Sequence, residues 1–230
     1  MISKAENTMD QEFDRILPKD ASALSQGIRF RYPKTTEILA MSTSPIDFIR
    51  RLMAADLDSD AIRFLAHAMP IRESIWWGLL CVWRAFAPSP EEKETWAIQS
   101  VIHWVTDPNE ARRQAARSAA HAVGNDTAPG SLANAVFWSG GSIGRPGMPT
   151  VEAPETSASR AVAGAILLAA ARAKKATKCR EYRREFLLLG LEVASGRNLW
   201  STPTRPTPAD VDESVSSTRV EDVVMSEMNA

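Results

Sequence analysis

Apolar residues recur at helical spacing through the middle of the chain, most densely in residues 71–87, IRESIWWGLLCVWRAFA. Ile71, Ile75, Leu79, Val82 and Phe86 form one stripe, and Trp76, Leu80 and Trp83 form a second beside it. From Ser74 to Ala87 the only charged residue is Arg84. A helix that is apolar on nearly all sides is normally covered by its neighbours. This stretch therefore predicts the axis of an all-α domain, opened by Pro70 and closed by Ala87-Pro88.

The flanking pattern supplies the neighbours. Ser44-Pro45 pairs an N-cap residue with a proline at the first helical position; Ile46, Phe48, Ile49, Leu52 and Met53 then give an apolar face. After a turn, residues 60–68 predict a helix that Met69-Pro70 ends, because a residue before proline is pushed out of the helical region. Ser89-Pro90-Glu91-Glu92 and Asp107-Pro108 predict two further starts. The second of these helices carries an inner stripe of Ala111, Ala115, Ala119 and Ala122, with Arg113, Arg117 and His121 on another face. Residues 124–130 read as a turn. Leu132, Ala135, Val136 and Trp138 mark a short helix stopped at Ser139-Gly140-Gly141. A long Gly/Pro-rich loop follows, and long loops inside a compact domain are often functional. From Ser159 an alanine-rich helix runs, with a break near Thr177, towards Gly196.

The prediction is a single irregular helical bundle, or a short stack of helical hairpins, of about seven to eight helices over residues 37–195. Residues 1–36 predict a disordered or loosely attached leader, in which Ile28, Phe30 and Tyr32 alternate with arginines until Pro33. Residues 196–230, rich in Pro, Ser, Thr and acids, predict a disordered acidic tail.

Composition narrows the class. With 230 residues and 44% hydrophobic positions the chain can build one good core. Its 27 Lys+Arg against 28 Asp+Glu give a net charge of −1, which argues against a dedicated nucleic-acid binder. Cys81 and Cys179 form no CxxC and no framework, a usage that fits a reducing compartment. The polar, mixed-charge start lacks a signal-peptide core, and no run approaches the roughly 18 apolar residues of a membrane span. A cytoplasmic location is the expectation.

Motifs for chemistry are sparse. His67, His103 and His121 belong to no HxxxH, HExxH or ExxH pattern, so no metal site and no cofactor are predicted. A phosphate cradle needs glycines just before a helix N-terminus. In FWSGGSIGRPG (residues 137–147) the glycines instead follow a helix, where they act as a C-terminal stop. Ser139 and Ser142 lack a nucleophile elbow. Glu73 sits in the first turn of the central helix, where a carboxylate is stabilised by the helix dipole. The candidate binding residues are Glu73, Trp77, His67, Trp138, Ser139, Gly140, Gly141, Ser142 and Arg145. A separate basic run, Arg172, Lys174, Lys175, Lys178, Arg180, Arg183 and Arg184, reads as a solvated helix face or as a patch for an anionic partner.

Residues 63–70 (RFLAHAMP), Glu73, Trp76-Trp77, residues 135–142 (AVFWSGGS) and residues 160–170 (RAVAGAILLAA) resemble the motifs of an uncharacterised bacterial family of small helical domains. The resemblance spans about residues 46–171. It implies no chemistry. Some members are encoded near type VI secretion components, which implies an accessory or adaptor role.

The expected function is therefore a non-catalytic helical scaffold or adaptor for a protein partner, an accessory of a bacterial secretion system being one such role. The alternative is an enzyme or small-molecule binder with a pocket between helix 71–87 and the 139–158 loop, using Glu73, His67 and Ser139. Nothing in the pattern specifies an oligomeric state.

Overall fold

Prolines and small polar side chains set most of the helix starts. The computed structural model describes residues 13–144, 147–173 and 175–200, and ten α-helices run through them. These are α1 (Ala21–Leu24), α2 (Pro33–Ala40), α3 (Pro45–Ala54), α4 (Asp58–Ala68), α5 (Ile71–Phe86), α6 (Glu92–Thr106), α7 (Glu110–Val123), α8 (Ala128–Phe137), α9 (Ser157–Ala171) and α10 (Ala176–Ala194). Ser44 caps α3 by accepting from Asp47 N at 3.1 Å, ahead of Pro45. At α6 the start differs from the predicted Ser89-Pro90. Glu91 and Glu94 form a reciprocal capping box, with Glu91 N donating to Glu94 Oε2 at 2.8 Å, so the helix begins at Glu92. Asn109, not Asp107, caps α7, and Thr127 caps α8, which begins at Ala128, four residues ahead of the predicted Leu132.

Helix α5 is the axis, packed against α4, α6, α8, α9 and α10. Two glycines permit the close crossings. A Cβ on Gly78 of α5 would lie 2.6 Å from Leu132 of α8 and 3.3 Å from Val162 of α9. A Cβ on Gly190 of α10 would lie 2.6 Å from the Trp77 ring and 2.7 Å from Leu65. Trp76 and Trp77 are buried, and Trp77 donates its indole N–H to Phe186 O at 2.6 Å. Not every tryptophan of α5 and α6 is interior: Trp96 is 46% exposed.

Two expectations need correction. On α7 the inward stripe is Arg113, Ala116, Ala119 and Ala120, while Ala111 and Ala115 are exposed. A run of alanines gives little contrast between faces, and the charge of Arg113 masks an inward position. Second, residues 13–36 are docked on the domain and supply α1 and the start of α2. Ala21 and Leu24 are buried, and Phe13, Ile16, Leu17, Ile28 and Phe30 pack against the core. The fully buried Asp60 carboxylate holds the segment by accepting from Arg31 N (2.9 Å), Tyr32 N (3.1 Å) and the Thr35 hydroxyl (2.7 Å). Residues 1–12 lie outside the described residues.

At the other end, residues 196–200 cross α5. Trp76 Nε1 donates to Asn198 O at 2.6 Å, and the Trp200 ring stands edge-on to Trp76 and beneath the Arg72 guanidinium, 4.2 Å away. Residues 201–230, which hold most of the predicted tail, lie outside the described residues. No helix among the described residues is long and apolar enough to cross a membrane.

Candidate functional site

A cleft of about 550 Å³ opens where α7, α8 and the start of α9 meet. Gly124, at φ 99°, ends α7, and the chain turns back through Asn125 into α8. The α8–α9 contact is tight because Ser131 Oγ donates to Ala161 O at 3.0 Å and Gly164 presents no side chain to Ser131. The cleft lies beside this seam, lined by Arg117 and His121 of α7, Asn125, Ser131, Asn134, Phe137, Trp138, and Ser157, Arg160 and Ala161 of α9.

Its charge is one-sided. Arg117, His121 and Arg160 line it, and no carboxylate among the described residues does. Arg117 lies 4.9 Å from the Phe137 ring centroid, a cation–π contact that positions the guanidinium without neutralising it. Among the described residues neither Arg117 nor Arg160 is ion-paired to a carboxylate. The buried Asn134 donates to Asn125 Oδ1 at 3.0 Å, which fixes both amides on the wall.

The glycine loop is clasped from beneath by Arg113. This arginine is buried, donates to both carboxylate oxygens of Glu110 (2.7 and 2.8 Å), and donates to the carbonyls of Phe137 and Ser142. Its hydrogen bonds to Arg113, and next to Gln114, hold the Glu110 carboxyl down at about 2. Gly141 is left-handed at φ 61°, and a Cβ there would sit 2.9 Å from the Arg113 guanidinium, so glycine meets both demands. Ser142 Oγ accepts from Gly144 N and Val151 N, tying the two limbs of the loop together.

The residues nominated from sequence scatter. Trp138 lines the cleft. Ser139 donates its hydroxyl to Val136 O at 2.7 Å, Gly140 is exposed, and Gly141 and Ser142 belong to the Arg113 clasp. Trp77 has no exposed surface. Glu73 is buried and faces Arg15 at 3.6 Å. His67 lines two smaller cavities, one of about 340 Å³ that also touches Ile71, Glu155 and Thr156. That cavity does lie between the start of helix 71–87 and the end of the 139–158 loop, yet neither Glu73 nor Ser139 lines it. Arg145 lies outside the described residues.

The basic run is largely occupied by the domain's own groups. Arg184 donates to Asp58 (3.0 Å), Asp56 (3.1 Å) and Met53 O (2.7 Å), docking α10 on the α3–α4 turn. Burial raises the Asp58 carboxyl above its ordinary value, and Arg184 pulls against it. Arg172 lies 4.0 Å from the Phe86 ring centroid and 3.8 Å from Glu94, and Lys178 pairs with Glu181 at 3.1 Å. Arg180 and Arg183 border a small cavity with Asp56 and Asp58, Lys175 is exposed, and Lys174 lies outside the described residues.

Sequence reasoning saw the Arg113, Arg117, His121 spacing on one face of its helix but gave it no role. Asn125, Asn134 and Arg160 gave no signal of convergence, because they sit on separate elements. A family model, described as a family of unknown function (DUF6931), matches residues 48–194. The chain belongs to DUF6931. The matched DUF6931 region runs from within α3 to the last residue of α10 and so contains all three walls of the cleft. No curated protein and no solved structure matches the chain.

Proposed function

We propose that this DUF6931 protein is a non-catalytic helical adaptor that holds an acidic segment of a protein partner in the α7–α8–α9 cleft. The observation that carries the reading is the convergence of Arg117, His121 and Arg160 in this cleft, with no carboxylate among the described residues in its lining. Uncompensated guanidinium groups on a fixed wall recognise carboxylates bidentately, and Phe137 and Trp138 add apolar area beside them. The separation of Glu73, His67 and Ser139 supports binding over catalysis, because no acid–base pair faces the cleft. The net charge of −1 favours a protein over a nucleic acid as partner. The resemblance to a bacterial family encoded near type VI secretion genes makes components of such a system the first partners to test.

The test compares proteins captured from source-cell extract by the full chain, by Arg117→Glu and by Arg180→Glu. The reading expects partners retained by wild type and Arg180→Glu but lost from Arg117→Glu, and it expects their acidic segments to bind as synthetic peptides. An unchanged set of captured proteins with Arg117→Glu contradicts it.

A further inference from the structure

A second basic cavity, of about 290 Å³, lies on the other flank of Arg160, between α4, the middle of α9 and the segment that leads into α2. Arg29, Arg63, His67 and Arg160 line it, with Ile28 and Leu167 among its apolar walls. The volume is at the lower end for ligand sites, which run from roughly 300 Å³ upward. Arg63 is already engaged by Asp60 (3.1 Å) and by Ser59 O (3.0 Å). Arg29 and Arg160 meet no carboxylate among the described residues, and none lines this cavity. Two guanidinium charges are thus uncompensated at one small volume.

His67 adds a directional requirement. Its Nδ1 lies 2.8 Å from Arg63 O, so in the neutral ring Nδ1 carries the hydrogen and Nε2 is an acceptor. Nε2 is buried, no group among the described residues bonds to it, and a ligand atom reaches it only when the ring shifts towards the cavity. Burial, joined by the charge of Arg160, holds the ring below its ordinary value and so in the neutral form, against the opposing effect of the Arg63 carbonyl. The charged groups around the ring are Arg63, Arg160 and Arg29 on this side, with Lys19 and Glu155 lining the adjoining cavity. A ligand that satisfies the site brings negative oxygens for the arginines and one O–H donor for Nε2.

We propose that this cavity binds hydrogen phosphate, with Arg29 and Arg160 holding its charged oxygens and His67 Nε2 accepting from its P–OH. At pH 7.5 inorganic phosphate keeps one hydroxyl. Sulfate has none, and a phosphate monoester has lost its last ionisable proton, whose pKa is about 6. The site stands apart from the partner cleft and shares only Arg160 with it, so its test uses other residues.

The experiment is calorimetric titration of the full chain at pH 7.5 and constant ionic strength with inorganic phosphate, sulfate and methyl phosphate. Phosphate is expected to bind about tenfold tighter than the other two, a ratio in the range of one hydrogen bond to a charged group. Arg29→Gln, at an exposed position, is expected to weaken phosphate about tenfold, and His67→Phe to bring phosphate down to the sulfate level while leaving sulfate unchanged. Equal affinity for the three anions overturns the proposal, as does an Arg29→Gln chain that binds phosphate like wild type.

Discussion

Arg113 donates to the backbone carbonyl of Ser142 at 2.8 Å across 29 residues of sequence. With its bond to the Phe137 carbonyl, this joins the first half of α7 to both ends of the turn that leaves α8. The clasp sets where the 138–156 loop leaves the domain and so fixes one rim of the cleft. Replacing Arg113 with Met leaves two carbonyls without their charged donor. We expect a loss of roughly 2–3 kcal/mol in urea unfolding, with faster amide exchange in residues 138–152.

Glu110 gives the same clasp a pH signature. Its carboxyl titrates at about 2 in the folded chain, against an ordinary value of 4.5. A depressed acid contributes stability that is fully present above the unfolded pKa and disappears as pH falls through the folded one. Glu110→Gln is therefore expected to lose less stability than wild type between pH 4.5 and pH 2. Parallel unfolding curves over that window contradict the clasp's electrostatics.

Gly190→Ala tests the seat of α10 on the axis. The added Cβ meets the rigid Trp77 ring at 2.6 Å and Leu65 at 2.7 Å. The Trp77 indole is itself held by Phe186 O, so it has little freedom to turn aside. Overpacking of this kind costs roughly 1–3 kcal/mol, read as a lower urea midpoint with an unchanged slope.

Asp60→Ala releases the segment that precedes α2. Two backbone N–H groups, the Thr35 hydroxyl and Arg63 all depend on that buried carboxylate. A destabilisation of about 3–5 kcal/mol is expected, together with rapid tryptic cleavage at Arg29 and Arg31. Wild-type resistance to trypsin in the variant contradicts the role given to Asp60.

How far the sequence was legible follows from the range of the interactions involved. Ser44-Pro45 and Pro70 announced α3 and α5 because capping is local, settled within three or four residues. The start of α6 was misplaced for a local reason too: two capping signals overlap at residues 89–94, and the Glu91–Glu94 box prevails. Residues 13–36 looked loose because their attachment runs through Asp60, 25 to 29 residues away, and leaves no periodic stripe. The cleft was illegible for the same cause. Arg117 and Arg160 lie on separate helices with no shared spacing, and only the α7–α8 and α8–α9 packing brings them to one wall. The glycine loop was read correctly as following a helix; the inward Arg113 that explains Gly141 was missed, because the alanine run was taken as the inner stripe and Arg113 was placed on another face.

Charge reversal in the cleft separates binding from folding. Arg117 touches Phe137 but pairs with no carboxylate among the described residues, so Arg117→Glu is expected to change stability by no more than about 0.5–1 kcal/mol. Its thermal midpoint should stay close to wild type while partner capture is lost. A variant that unfolds at ambient temperature contradicts the assignment of Arg117 to recognition.

The most direct measurement is hydrogen–deuterium exchange on the full chain alone and with a captured partner. An acidic segment held between Arg117 and Arg160 is expected to slow exchange in the second half of α7, in the turn through Asn125, in α8, and in the first turns of α9. Protection confined to the exposed Trp96 face of α6, or to α10, with the cleft unchanged, would contradict the account.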